Sequence, residues 1–363
     1  MKKYFNQLRG SLSEIFNWHK SRIDCFSNLL LGLISSQTVN LSKIAVHFKN
    51  NNKISSNYRR IQNFFKDVSF DFDDVARFNT HQLLSTKKKW NLILDRTNWK
   101  FGKTDINILV LSVAYEGIAI PLYYELLDHK GNSDSQIRIK LMQKFISNFG
   151  KNRIGCLLGD REFIGSHWLS WLDNQQISYA IRVRNNLLAT ASNGGETQVS
   201  NLFRSVGVHE HKTLKSKQKL RNSSVYLSGA RSSDGELLII ASNSNNIADL
   251  VSIYGIRWEI ENLFQALKTR GFNFEDTHLT DKNKIAKLMA LLSIAFVWAH
   301  KVGEYRDAKI QKITRKKHGR PQNSYFRYGL DMIVNAIQKI GFYSNDFSLC
   351  LKIFNKTTKE LKI

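Results

Sequence analysis

Proline is almost missing from this chain, with 2 residues in 363, and glycine stands at 20. So little of either argues against long linkers and low-complexity tails. Cysteine is equally sparse. Cys25, Cys156 and Cys350 are odd in number and far apart. That excludes a disulfide framework and any CxxC zinc spacing, and it suits a reducing cytoplasm. The start, Met1-Lys2-Lys3-Tyr4-Phe5-Asn6, has no apolar signal core. The longest apolar run, Leu288 to Ala299, is about half the length a bilayer span needs and reads as a buried helix, so no membrane partner is expected. A glycine-rich phosphate loop is absent, so no nucleotide cofactor is expected. The ten histidines show no metal spacing, and His209-Glu210-His211 reads as a surface turn.

Acidic residues are also in deficit. Asp and Glu total 30 against 54 Lys and Arg, a formal net charge of +24. A surplus of that size favours a polyanion partner through counterion release, and nucleic acid is the commonest one. Apolar residues at 42% and charged residues at 23% describe an ordinary globular chain.

The chain to residue 86 reads as a helical domain. Leu41–Lys49 and Ser55–Lys66 flank a polar stretch, with Ser55 or Ser56 as a possible cap. The pair suits a helix-turn-helix presenting Tyr58, Arg59, Arg60 and Gln62 to DNA, and equally two packed helices of any α-helical domain. The texture then changes. Apolar runs at Trp90–Leu94, Ile106–Ala114 and Ile118–Leu127 read as strands, the last two joined by a hairpin-like Tyr115-Glu116-Gly117 turn. Helical periodicity at Ser135–Phe149 precedes a fourth strand at Arg153–Gly159, a helix at Ser166–Asn174 and a fifth strand at Ile177–Arg182. Three strands in a meander followed by alternating helix and strand is the order of a ribonuclease-H-like α/β fold. Residues 87–185 form its first part. Residues 186–246 read as a β-rich insertion, with short runs at Val225–Leu227 and Leu237–Ala241. Residues 247–303 return to helix and complete the core, and 304–363 form a basic helical segment.

Asp95 and Asp160 each stand where an apolar run ends. Strand ends are where α/β folds place ligand-binding groups. If the first and fourth strands are neighbours, these two carboxylates meet, and a divalent cation relieves their repulsion. Taken singly, each is also an ordinary turn or cap residue. Further on, Tyr254, Arg257, Glu261 and Lys268 fall within an arc of about 60° if the segment is one helix at about 100° per residue. A carboxylate flanked by Arg and Lys suits a substrate rich in phosphates. The same face also reads as a solvated helix with an Arg257–Glu261 ion pair. Glu259 points roughly the opposite way.

The string Tyr254-x2-Arg257-x3-Glu261-x6-Lys268 resembles the YREK signature of DDE transposases of the insertion-sequence-four type. Asp95-Arg96-Thr97 and Gly159-Asp160-Arg161-Glu162-Phe163 resemble that family's first two motifs, in the same order. The 101 positions from Asp160 to Glu261 leave room for the family's β-rich insertion. The resemblance implies DNA cleavage at transposon ends and transfer of the freed 3′-hydroxyl into target DNA. It assigns Asp95, Asp160 and Glu261 as catalytic ligands of two Mg²⁺ ions, with Mn²⁺ able to substitute, and Tyr254, Arg257 and Lys268 as phosphate contacts. It also implies double-stranded DNA as partner, a homodimer on paired ends, and a place on the bacterial nucleoid. Some relatives stack a flipped base on a tryptophan in the insertion. Residues 186–246 contain none, which leaves Phe203, Tyr226, Trp168 or Trp258 for that task and puts a hairpin step in doubt.

Two basic stretches complete the DNA-facing set. Lys212–Arg221, with Lys215 and Lys217, reads as an exposed hairpin. Lys309–Arg327, with Lys316 and Lys317, holds seven cations and no acid. Tyr325, Phe326 and Tyr328 interleave with its cations, a pattern suited to DNA contact or protomer assembly. Trp168 and Trp171, three apart on a helix, read as core. The rival readings are a nuclease or resolvase on the same fold that does not join strands, and a DNA-binding protein without catalysis.

Overall fold

The computed structural model describes residues 2–190, 194–245, 249–317, 319–339 and 344–363. Five helices open the chain: α1 (Lys2–Ile15), α2 (Lys20–Ser36), α3 (Leu41–Val46), α4 (Ile54–Asp67) and α5 (Phe72–Leu84). Aromatic rings hold them together. Phe16 stacks on Trp18 at 4.1 Å, and Trp18 meets Phe64 at 5.7 Å. Two helices flank the polar stretch as expected, but seven residues separate α3 from α4, more than the roughly three or four of a helix-turn-helix turn. α3 stops at Val46, and neither Ser55 nor Ser56 caps α4. The turn explains this. Asn50 and Asn57 exchange side-chain amide bonds of 3.0 and 3.1 Å, and the Lys53 carbonyl accepts from Asn57 N–H, so the helix begins at Ile54.

The meander consists of β1 (Trp90–Phe101), β2 (Thr104–Tyr115) and β3 (Ile118–Leu126). Glu116 and Gly117 both have positive φ, 44° and 86°, the backbone of a two-residue hairpin turn whose twist matches its strands. Then come α6 (Ser135–Phe149), β4 (Ile154–Gly159), α7 (Ser166–Asn174) and β5 (Tyr179–Val183). β4 lies parallel to β1 and β5 parallel to β4. Buried β4 reads Ile-Gly-Cys-Leu-Leu-Gly, the unbroken apolar run of a covered parallel strand. β1 does not end at Leu94 as expected. β2 pairs with it as far as Phe101, so β1 continues with one partner after β4 has stopped.

Residues 186–246 carry more strand than the sequence shows: β6 (Leu188–Thr190), β7 (Glu196–Gln198), β8 (His211–Thr213), β9 (Gln218–Leu220), β10 (Ser223–Arg231) and β11 (Leu237–Ser242). They do not stand apart. β11 pairs antiparallel with β5, giving one sheet in the order β3-β2-β1-β4-β5-β11-β10-β9-β6-β7, with β8 also on β10. Lys212–Arg221 is therefore not a hairpin closed on itself, because β8 and β9 each pair with β10.

Helix follows as α8 (Leu250–Gly255), a 3₁₀ turn at Ile256–Trp258 and α9 (Glu259–Lys268). The expected return to helix at 246/247 lies outside the described residues. α10 (Lys282–Lys309), α11 (Tyr325–Gln338), α12 (Ser344–Asn355) and α13 (Thr358–Leu361) close the chain. α10 is long and apolar enough to cross a membrane, yet 89% of its apolar stretch is buried within the fold. α11 crosses it where both helices carry glycine. A Cβ on Gly329 would strike the Ala299 carbonyl, and one on Gly303 would strike the Tyr325 carbonyl.

The C-terminal stretch departs from expectation in two respects. Between α10 and α11 the chain is irregular, with an isolated bridge from Arg315 to Pro321. Phe326 and Tyr328 are core residues: both are buried, Tyr328 donates to the Gln311 carbonyl at 2.9 Å, and Phe326 packs on Phe272 and Phe296. Helical spacing turns that apolar face into α10, so these rings are unavailable for DNA contact or protomer assembly.

Candidate active site

The parallel register of β1 and β4 ends at Leu94 opposite Gly159. Asp95 is the next residue of β1 and Asp160 the first residue after β4, so the backbone register sets the two side by side. Asp160 is no cap. It precedes the 3₁₀ turn at Arg161–Phe163 without making a side-chain cap bond, and its Oδ1 is buried with no hydrogen-bond partner. Asp95 accepts from the Arg96 N–H at 2.7 Å and pairs with Arg257 Nη1 at 2.5 Å.

Arg257 is the centre of the arrangement. It is only 6% exposed, and Nη1 also lies 3.6 Å from Glu261 Oε1. The third acid thus reaches the first through a shared guanidinium. Burial works against the charge on Arg257, and Asp95, Tyr254, Asp160 and Glu261 together raise its pKa. Tyr254 is buried beside it. Burial is the largest cause lifting the phenol to about 12, with Arg257 opposing and Asp160 adding.

The four signature residues do not share one helical face. Tyr254 belongs to α8, Arg257 to the 3₁₀ turn, and Glu261 and Lys268 to α9. The tighter turn aims Arg257 inward and leaves Trp258 61% exposed, 5.3 Å from the guanidinium. Glu259 is occupied elsewhere: its Oε1 accepts from Gly117 N–H at 2.9 Å, and Asn262 donates to the Gly117 carbonyl at 2.7 Å, pinning α9 to the β2–β3 turn. Lys268 braces the far end of α9, reaching the Asn98 carbonyl at 3.2 Å and Glu275 at 2.8 Å.

Among the described residues no three His, Cys, Asp or Glu side chains close around a common point as a metal site would. Asp95, Asp160 and Glu261 face one region, but the cation between the first and third is Arg257. The donor chemistry still suits a hard divalent ion. All the candidate ligands are carboxylate oxygens, one of them buried without a partner, and burial makes the charge on Asp95 costly.

That cost gives a measurable slope. Burial raises the Asp95 pKa to about 6; Arg257 and the Arg96 N–H oppose it, and the charges of Glu261 and Asp160 add to it. Between its ordinary value of 3.8 and about 6, the folded chain holds a proton that the unfolded chain releases. Its contribution to stability is complete below that window and is lost as pH rises through it, by about 3 kcal/mol. Thermal melts without metal are expected to lose stability from pH 4 to 6 in the wild type relative to Asp95→Asn. Parallel profiles for the two proteins would contradict this.

The outlying basic residues separate into exposed and engaged. Arg59 is exposed on α4, whereas Arg60 is a strut to α2, pairing with Asp24 and the Ser21 carbonyl, both at 2.8 Å. Lys215 and Lys217 are exposed between β8 and β9, with Lys217 over the Tyr226 ring, and Lys316 and Lys317 are exposed between α10 and α11. Phe203 and Trp168 are fully buried, so of the rings expected to stack a base, Trp258 is the most exposed. The three cysteines are free and buried.

The family model described as the transposase DDE domain matches residues 85–298. No match was found among curated proteins. Among solved structures, a cryo-EM structure of piggyBac transposase, a synaptic complex with hairpin DNA, is similar at 10% identity and a TM-score of 0.46, over 98% of this chain and 83% of that one. The segment matched by the family model spans more than half of the chain and encloses Asp95, Asp160, Arg257 and Glu261, so the chain belongs to the transposase DDE-domain family.

Proposed function

We propose that this transposase cuts DNA at transposon ends and joins the freed 3′-hydroxyl to target DNA, using Asp95, Asp160 and Glu261 as ligands for two Mg²⁺ ions, with Mn²⁺ able to substitute. The observation that carries the reading is the β1–β4 register, which sets Asp95 beside Asp160, with Arg257 bridging from Asp95 to Glu261. The antiparallel meander followed by two parallel strands supports a ribonuclease-H-like core. The spacing of Tyr254, Arg257, Glu261 and Lys268 supports the insertion-sequence-four type. Domain limits at 86, 185, 246 and 303, a homodimer on paired ends, and a place on the bacterial nucleoid belong to the same proposal.

Divalent ions bound by these carboxylates would make water a nucleophile at neutral pH and stabilise charge on the leaving oxygen. The chain's own residues do the rest. Arg257 offsets part of the charge of Asp95 and Glu261, and its planar fork suits two phosphate oxygens once DNA arrives. Lys268 holds α9 against β1 and so fixes the reach of Glu261. Trp258, exposed at the edge of the site, offers an aromatic face to a base. The net charge of +24 draws DNA in and makes binding weaken steeply with salt.

A strand-transfer assay separates this reading from a nuclease without joining activity. A duplex carrying a terminal repeat found in the DNA on either side of the coding region, pre-cut to expose its 3′-hydroxyl, is incubated with supercoiled plasmid and Mg²⁺. Covalent joining of the duplex to plasmid is expected. Nicked plasmid with no joined product would favour the nuclease.

A further inference from the structure

The carboxylates of Asp95 and Asp160 repel each other, so something other than their own contacts must hold them together. Successive side chains of a strand point to opposite faces. Arg96 therefore leaves β1 on the face away from Asp95. There it meets Glu162, two residues past Asp160. Arg96 Nε donates to both Glu162 oxygens at 3.1 and 3.2 Å, and Nη2 donates to Oε2 at 2.8 Å. Both side chains are mostly buried, 17% and 15% exposed.

The pair is anchored on each side. Arg96 Nη1 donates to Asn107 Oδ1 at 3.0 Å, and buried Asn107 donates to the carbonyls of His129 and Gly131 at 2.9 and 3.1 Å. Arg138, also buried, donates to Ser133 Oγ at 2.8 Å and to the Glu162 carbonyl at 3.4 Å, and lies 4.9 Å over the Phe163 ring. Phe163 in turn packs on Gly159, where an added Cβ would stand 3.1 Å from the ring. Gly159, Glu162 and Phe163 are thus tied to this lattice, and the Asp160 carbonyl joins it by accepting from the Phe163 N–H at 2.9 Å.

We propose that Arg96 and Glu162 are positioning residues: their ion pair, on the far face of the sheet, locks the end of β4 to β1 and presets Asp95 and Asp160 at the separation a divalent cation bridges. A partly buried ion pair is a poor source of stability, because desolvation offsets its attraction, whereas a forked, doubly bonded pair is a good source of fixed geometry. Neither residue touches the cation or DNA. Arg96 acts through Asp95, which it follows directly, and Glu162 acts through Asp160, two residues before it.

The inference rests on the active-site reading above, and Mn²⁺ binding to the full-length protein, followed by electron paramagnetic resonance, tests the two separately. Asp160→Asn is expected to abolish tight Mn²⁺ binding. If it does not, the active-site reading itself fails. Glu162→Gln keeps the shape and loses the charge, and Arg96→Lys keeps the charge and loses the fork. Each is expected to weaken Mn²⁺ binding by about tenfold or more. DNA affinity is expected to stay close to wild type, and saturating Mn²⁺ is expected to restore cleavage, whatever stability is lost by leaving one buried charge unpaired. Wild-type Mn²⁺ affinity in both variants, with Asp160→Asn impaired, overturns the positioning role alone. So does a cleavage defect that excess Mn²⁺ leaves untouched. Should Glu162→Gln fail to fold, Arg96→Lys carries the same measurement.

Discussion

Glu261→Gln is expected to lower metal-dependent cleavage at least about a thousandfold while leaving DNA affinity within about twofold of wild type. The side chain is 40% exposed and among the described residues its one ion pair is the 3.6 Å contact with Arg257, so the amide fits without disturbing the core. Arg257 keeps its shorter bond to Asp95 and stays charged. What disappears is one of the three anionic ligands proposed for the metal ions. Charge stabilisation by a bound metal is worth several kcal/mol, and about 4 kcal/mol corresponds to three decades in rate. Single-turnover cleavage and a gel-shift titration on the same oligonucleotide measure the two quantities. Cleavage within tenfold of wild type at saturating Mg²⁺ would remove Glu261 from the site. Loss of binding in step with cleavage would show that it serves DNA contact.

Gly329→Ala is expected to cost at least about 3 kcal/mol, a fall in melting temperature of about 4 °C for a chain of this length. The new methyl would meet the carbonyl of Ala299, and the backbone nitrogen of Gly303 lies almost as near. Side chains turn aside, whereas helix backbones must separate, and α10 packs against α11, the sheet and α5. The Tyr124 hydroxyl bonds to the Ala286 carbonyl of α10 at 2.8 Å, so a displaced α10 disturbs β3 and, through it, α9. Gly10→Ala in α1, where nothing lies within 4 Å of the new methyl, is the matched control. It is expected to be neutral or stabilising by about 0.5–1 kcal/mol. Equal melting temperatures for the two variants would show that the helices have slack at this crossing.

The parts of the fold that sequence discloses are those set by neighbours along the chain. α6 runs from Ser135 to Phe149 and α7 from Ser166 to Asn174, as periodicity indicates, and the Glu116-Gly117 turn follows from residue type. The pairing of Asp95 with Asp160 was legible only by analogy, since nothing local tells β1 that β4 will be its neighbour. Non-local pairing hid the rest. β6 to β9 are three residues each and too short to alternate, and the β11–β5 ladder joins segments far apart in sequence. Tyr325, Phe326 and Tyr328 look like a nucleic-acid platform because cations surround them. Only the helix packed beside them shows which way they face. Arg60 likewise shows no sign in sequence of the partner, Asp24, that holds it. Arg96 and Glu162 did leave a trace, opposite charges placed just after each aspartate, which becomes meaningful once the two strands are known to touch.

Hydrogen bonds run without a break from β3 through β1, β4 and β5 into β11 and β10. The strands beside Lys215 and Lys217 are therefore welded to the plate that carries Asp160, and no hinge separates grip from blade. Tension on those lysines travels as shear through β10, β11 and β5 to β4 instead of dissipating in a linker. Amide protons of β5 and β11 should accordingly exchange together, as one cooperative block. On the proposed reading, accommodation to DNA is left to parts off the plate: the Arg257 guanidinium, the Trp258 ring and the loop between α10 and α11.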